Sequence, residues 1–231
     1  MAFLEDISGF YGTGEKNRQG QSLEEFLKEY NPKKYDCPSN TTDIVVLRSR
    51  DSLQRWGQPL QVLMVKRSNH PSIGFWATPG GFVEMREDLY EGAARELEEE
   101  TGVKNLPLKQ MRTWGAWKRD PRWRVITTSF LALVEGELPV KAGDDAAEAL
   151  WFDVKLTKEA KRLEEKAEIW RLELRNAEKG IRLWARVGIY QKGIPLLMEE
   201  NYELLECEGI AVDHACILTQ ALLYVKERLL P

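Results

Sequence analysis

Two runs of β-branched and aliphatic residues, DIVVLRS (43–49) and PLQVLMVKRS (59–68), flank the turn-like RDSLQRWGQ (50–58). Apolar runs bounded in this way predict a pair of strands. The next stretch, NHPSIGFWATPGG (69–81), holds enough proline and glycine to exclude a long helix. In DLYEGAARELEEET (88–101) the spacing changes, with Leu89, Ala93 and Leu97 recurring every fourth position and Ala94 beside them. That spacing lays one apolar stripe along a helix, and Gly102 stands where a C-cap belongs. RVITTSFLALVEGE (124–137) and EALWFDV (148–154) read as further strands.

Beyond Thr157 the rhythm is different. TKEAKRLEEKAE (157–168) is charged and rich in helix formers, so a helical piece is expected there. RLELRNAEKGIRLWARVGIY (171–190) alternates with period two around NAEKG, a hairpin pattern, and LLMEENYELLECEGI (196–210) adds another strand. DHACILTQALLYVKERL (213–229) is an amphipathic helix with Ile217, Ala221, Leu222, Val225 and Leu229 on one face. At the other end, residues 1–21 read as an irregular arm, and Ser22 with Glu25 forms a capping-box pattern that opens a short helix. Strands before and after one helix, with a second helix after them, predict an α/β or α+β sandwich.

A chain of 231 residues, 43% hydrophobic, buries a sizeable core, with one elaborated domain as the default. Its net charge of -4 supplies no global basic field to attract nucleic acid or anionic lipid. Cys37, Cys207 and Cys216 have no metal-ligand spacing and form no even framework, so reduced thiols in a cytoplasmic protein are expected. The N-terminus lacks a basic start followed by an apolar run, and no stretch approaches the roughly 20 apolar residues that span a bilayer.

The densest chemistry lies between Glu96 and Glu100. On a helix Glu96, Glu99 and Glu100 share one face. Like charges so placed repel by a few tenths of a kcal/mol per pair, about what opposite charges would gain. They also crowd the helix C-terminus, where the macrodipole disfavours them. A bound divalent cation offsets both effects, and carboxylate oxygens are the hard ligands that Mg2+ or Mn2+ prefer. A solvated acidic face is the other reading of the three glutamates alone. Pro79-Gly80-Gly81 permits a close backbone approach to them, and Arg95 stands four residues from Glu99, placed to hold carboxylates in fixed orientation.

Gly81 to Val103 fit G-x5-E-x7-R-E-U-x-E-E-x-G-U, with U aliphatic, at every position. The segment resembles the signature of the Nudix hydrolases. The segments EYNPKKYDCPSNTTDIVVL, VKRSNHPSIGFWATPGGFVE, KRDPRWRVITTSFLALV, AGDDAAEALWF and IAVDHACIL look like one branch of that family. That branch holds ADP-ribose pyrophosphatases and related transcriptional regulators of NAD metabolism. The resemblance implies an α/β (α+β) Nudix fold, a mixed β-sheet sandwiched between helices. It places an arm and short helix over 1–29 and the Nudix domain over 30–231. Residues 157–208 look like a β-rich insertion before the C-terminal helix 213–229.

The activity so implied is metal-dependent hydrolysis of the pyrophosphate bond in a nucleoside diphosphate linked to another moiety, ADP-ribose or a similar NAD-related metabolite. By the same resemblance Glu96, Glu99 and Glu100 would bind Mg2+ or Mn2+, with the Gly80 carbonyl as a further ligand. Gly81, Glu87, Arg95 and Gly102 would be supporting residues. The general base would be a motif glutamate or one from a distant loop, for which Glu148, after Asp144 and Asp145, is the candidate. Arg119 and Arg122 in KRDPRWR, with Arg124, would reach the diphosphate, and Arg67 ends a strand near the expected cleft. Trp76 or its neighbour Phe75 would stack on the base or pack in the core. His70 and His214 are the only histidines, and His214 suits a capping or packing role. The alternative is a ligand-binding regulator without catalysis, which the chain's end at Pro231 after the terminal helix disfavours. A homodimer is expected, with the insertion at its interface or walling the pocket, and neither nucleic acid nor membrane is an expected partner.

Overall fold

The computed structural model describes residues 3–143, 146–162 and 167–229. The chain divides into two compact units, residues 1–37 and 38–231. The first holds a 3-10 turn at Ser8–Phe10 and helix α1, Leu23–Glu29. The Ser22 hydroxyl accepts the Glu25 N–H, and the Glu25 carboxylate accepts the Ser22 N–H, so the capping box forms as the sequence predicts.

The second unit is built on one nine-stranded mixed sheet. Its central strand β1, Ser39–Ser49, runs parallel to β5, Val125–Glu135, and antiparallel to β2, Gln61–Arg67. A strand covered on both faces reads as a continuous apolar run, which is what IVVL (44–47) is. Side chains still alternate: Val45 and Leu47 enter one core, Ile44 and Val46 the other. In β2, Val62 and Met64 join the first core, and Leu63 and Val65 the second.

Helix α2, Leu89–Thr101, covers the second core with Ala93 and Leu97. Asp88 caps its first turn and Gly102, at φ 71°, ends it in the left-handed conformation that glycine tolerates best. Helix α3, His214–Arg228, fills the first core, burying Ile217, Leu218, Ala221, Leu222 and Val225.

The strands run β4-β5-β1-β2-β6-β7-β8-β9, with the short β3, Trp76–Ala77, on β2. β4 spans Lys109–Trp114, β6 Ala146–Arg162, β7 Ala167–Asn176, β8 Ile181–Lys192 and β9 Glu199–Glu208. The sheet curls so far that its two end strands touch. Trp114 of β4 meets Tyr202 of β9 at 5.6 Å between rings, and Arg112 Nη1 donates to the Glu200 carbonyl at 2.5 Å. α3 therefore lies inside a nearly closed wrap of strands.

Two expectations change. The helix expected over 157–168 is strand through Arg162, because Thr157 and Lys158 pair with Arg171 and Trp170 of β7. Residues 163–166 lie outside the described residues. Cross-strand pairing overrides the helix propensity of Lys, Glu and Ala there. β4 was not expected at all. It is mostly exposed and carries polar residues, so period two gives it little contrast.

Candidate active site

α2 brings Glu96 and Glu100 to a cleft of about 440 Å3, which Asp43, Arg67, Phe82 and His214 also line. The floor is set by Pro79-Gly80-Gly81. The β1 amides of Ile44 and Thr42 take the carbonyls of Pro79 and Gly81 at 2.8 and 2.9 Å. The Gly80 carbonyl is left without a hydrogen bond among the described residues. Gly80 itself sits at φ 150°, against the Thr42 carbonyl, where a side chain has no room. Its N–H donates to Glu100 Oε2 at 2.9 Å.

Arg95 organises the helix face. Its Nε and Nη2 donate to the two oxygens of Glu87 at 3.0 and 2.7 Å, and Nη1 donates to Glu96 at 2.8 Å and Glu99 at 2.9 Å. Nη2 also donates to the Phe82 carbonyl at 3.0 Å, tying helix to loop. The hydrogen bond from Arg95 holds Glu87 below the usual carboxylate range. Burial pushes Glu96 up, against the pull of Arg95. Glu100 is pushed up to about 8 by burial first, partly offset by the Gly80 N–H, with the charges of Glu96 and Asp43 adding to the rise. Glu99 is more exposed, held by Arg95, and does not line the cleft. The end of α2 is in turn closed by the loop 141–143, where Lys141 and Gly143 N–H donate to the carbonyls of Thr101 and Glu100 at 2.9 and 3.0 Å.

Among the described residues no three carboxylate, histidine or cysteine groups stand close enough together to hold a cation. The donor chemistry nevertheless fits a hard one. Glu96, Glu100 and the free Gly80 carbonyl offer oxygen alone, and Glu100 is a half-buried carboxylate with no salt bridge among the described residues. Positive charge placed there relieves its desolvation.

The cationic candidates are placed unequally. Arg119 lines the cleft but is nearly buried, clamped on Asp213 at 3.0 and 2.9 Å, with Nη2 3.8 Å from Asp43. Arg122 is paired with Asp120 at 3.0 and 2.8 Å. Arg67 has no carboxylate partner among the described residues, its Nε donating to the Pro71 carbonyl at 2.7 Å. Burial and the charge of Arg122 pull it below the usual arginine range. Glu148 lies outside the cleft lining, opposite Lys66 on β2, and takes its ammonium at 3.0 Å. Asp144 and Asp145 lie outside the described residues. Trp76 is buried in a T-shaped contact with Phe152 and is not part of the lining. His214 Nδ1 accepts the Thr78 N–H at 3.3 Å and lies 2.8 Å from its hydroxyl.

Asp43, Asp120 and Phe82 belong to the cleft, and sequence reasoning did not single them out. Asp43 left one signal, a carboxylate immediately before the apolar run Ile44–Leu47. Its Oδ2 accepts the Thr127 hydroxyl at 2.7 Å.

The NUDIX domain family model matches residues 40–172, more than half of the chain. The chain belongs to the Nudix family. This Nudix chain is 44% identical over 95 residues to an ADP-ribose pyrophosphatase of Methanocaldococcus jannaschii, covering 41% of this chain and 55% of that one. It is 38% identical over 115 residues to the ADPR responsive transcriptional repressor NtrR of Acinetobacter baylyi, covering 49% and 44%. The chain thus spans about half the length of the curated relatives it matches. A MutT/nudix family protein from Enterococcus faecalis shares the fold at TM-score 0.65 and 30% identity, covering 91% of this chain and 71% of that one. The NUDIX domain of Shewanella oneidensis NrtR, solved with ADP ribose, shares it at TM-score 0.57 and 24% identity, covering 91% and 100%. No described helix is long and apolar enough to cross a membrane.

Proposed function

We propose that this Nudix protein hydrolyses the pyrophosphate bond of a nucleoside diphosphate derivative, with ADP-ribose as the first substrate to test. One observation carries the reading. The half-buried carboxylates Glu96 and Glu100 share a cleft with Arg67, a half-buried guanidinium that has no carboxylate partner among the described residues. A diphosphate would suit this arrangement, its negative charge facing Arg67 while a divalent cation held by the glutamates would offset theirs. Glu96, Glu100 and the Gly80 carbonyl would hold the cation, with Glu99 one residue away in sequence. When bound, it neutralises phosphate charge and makes a water molecule more acidic. Arg67 grips the anion by charge-assisted hydrogen bonds, and Arg95 keeps Glu96 and Glu87 in place.

The similarity to an ADP-ribose pyrophosphatase supports the substrate, and the similarity to a repressor named for its ADPR response supports the same ligand with a different output. Retention of Glu96, Glu99 and Glu100 favours hydrolysis over binding alone. The test is AMP release from ADP-ribose with Mg2+ or Mn2+. Turnover that vanishes with a chelator and in Glu100→Gln is expected. Tight ADP-ribose binding with no turnover of any nucleoside diphosphate derivative would leave the sensing role instead.

A further inference from the structure

Phe82 is the only Phe, Tyr or Trp among the described residues that line the cleft. It remains 48% exposed in an otherwise largely polar site. Its backbone is held on two sides, by the Arg95 Nη2 bond to its carbonyl at 3.0 Å and by a bridge to Thr41 of β1. The ring is therefore presented from a fixed point. The Arg122 guanidinium lies 5.3 Å from its centroid and is itself oriented by Asp120. An aromatic ring beside a fixed guanidinium offers a π-face and a cation to a flat, electron-rich group. Of the two residues singled out for stacking, Trp76 is spent on the core and the exposed Phe75 lies outside the cleft lining.

We propose that Phe82 and Arg122 form a stacking platform for the nucleobase, so that they set which end of the substrate enters and favour base-bearing diphosphates. The placement rests on the hydrolase reading only for the identity of the site, since stacking occurs with or without turnover. A ribose or simple sugar has no planar face to lay on the ring, so the platform tells the two ends of ADP-ribose apart.

The test is titration calorimetry of AMP and of ribose 5-phosphate, each with Mg2+, on the full chain. Phe82→Ala is expected to weaken AMP by at least about fivefold, the low end of what one lost stacking contact costs. Ribose 5-phosphate is expected to bind as it does to the unaltered chain, and Phe82→Trp to restore AMP. Equal weakening of both ligands, undiminished AMP binding in Phe82→Ala, or no AMP binding by the unaltered chain would each overturn the platform. Phe82-dependent AMP binding without turnover of ADP-ribose would sustain the platform and remove the hydrolase reading. Turnover with Phe82-independent AMP binding would do the reverse.

Discussion

Gly81 and Glu96 are packed so tightly that a Cβ on the glycine would fall on the Glu96 carboxylate. The two residues lie on different elements, the loop before α2 and the middle of α2, and the missing side chain is what lets the carboxylate face the cleft. Gly81→Ala would push the far end of a flexible side chain, which is cheap for the fold and harmful to the site. The expected outcome is an unfolding midpoint close to that of the unaltered chain, with turnover reduced by about tenfold or more, as for a displaced reacting group. Gly80→Ala makes the contrast, since its Cβ meets the Thr42 backbone at φ 150°. There the midpoint itself should fall. Thermal unfolding and steady-state kinetics on the pair decide this, and a matched loss of stability in both variants would refute it.

Glu100 gives a pH signature. Folded, it keeps its proton up to about pH 8, against 4.5 for the ordinary side chain. Between those values the folded state binds the extra proton, so this contribution to stability is whole below about 4.5 and is lost as pH rises through about 8. In chelator, the unfolding midpoint of the unaltered chain should therefore drop more between pH 5 and 8 than that of Glu100→Gln. Added Mg2+ should recover it at the alkaline end. Parallel profiles for the two proteins would show that Glu100 titrates normally.

Arg119 is expected to matter to the fold before it matters to substrate. Its bidentate bond to Asp213 joins the loop after β4 to the start of α3, and its removal strands Asp213 and Asp43. Arg119→Ala should cost about 3 kcal/mol, the usual penalty for breaking a buried pair. In a chain of this size that lowers the midpoint by about 6–12 °C. Calorimetry would contradict the assignment if the midpoint held while only substrate affinity fell.

Gly143 abuts the far end of α2, where a Cβ would run into the Glu99 carbonyl. The obstacle is backbone, so the loop or the last turn of the helix must yield. Gly143→Ala should loosen the turn that carries Glu99 and Glu100, weakening Mg2+ binding and turnover together. A Mg2+ titration identical to that of the unaltered chain would dismiss the connection.

The parts of this molecule that were readable beforehand are those whose causes are local. α2 announced itself by the spacing of Ala93 and Leu97 and by Gly102, and the β7–β8 turn by NAEKG. β6 beyond Thr157 was misread because its charges suit a helix in isolation, while its hydrogen bonds come from β7. Within the site, motif spacing marked Glu96 and Glu100. It carried no trace that Arg119 would be occupied by Asp213, 94 residues away. Phe82 stood inside the motif at a position any residue satisfies, and only its exposure in the cleft distinguishes it.

α3 follows every described strand and yet lies inside the curled sheet, with His214 at its start lining the cleft and Asp213 holding Arg119. During synthesis the glutamates of α2 emerge more than 100 residues before the helix that completes their surroundings. A ribosome-bound chain that has made the whole signature has still not made the cleft. Substitutions deep in α3, far from any phosphate, should therefore lower the yield of competent molecules more than the rate of each one.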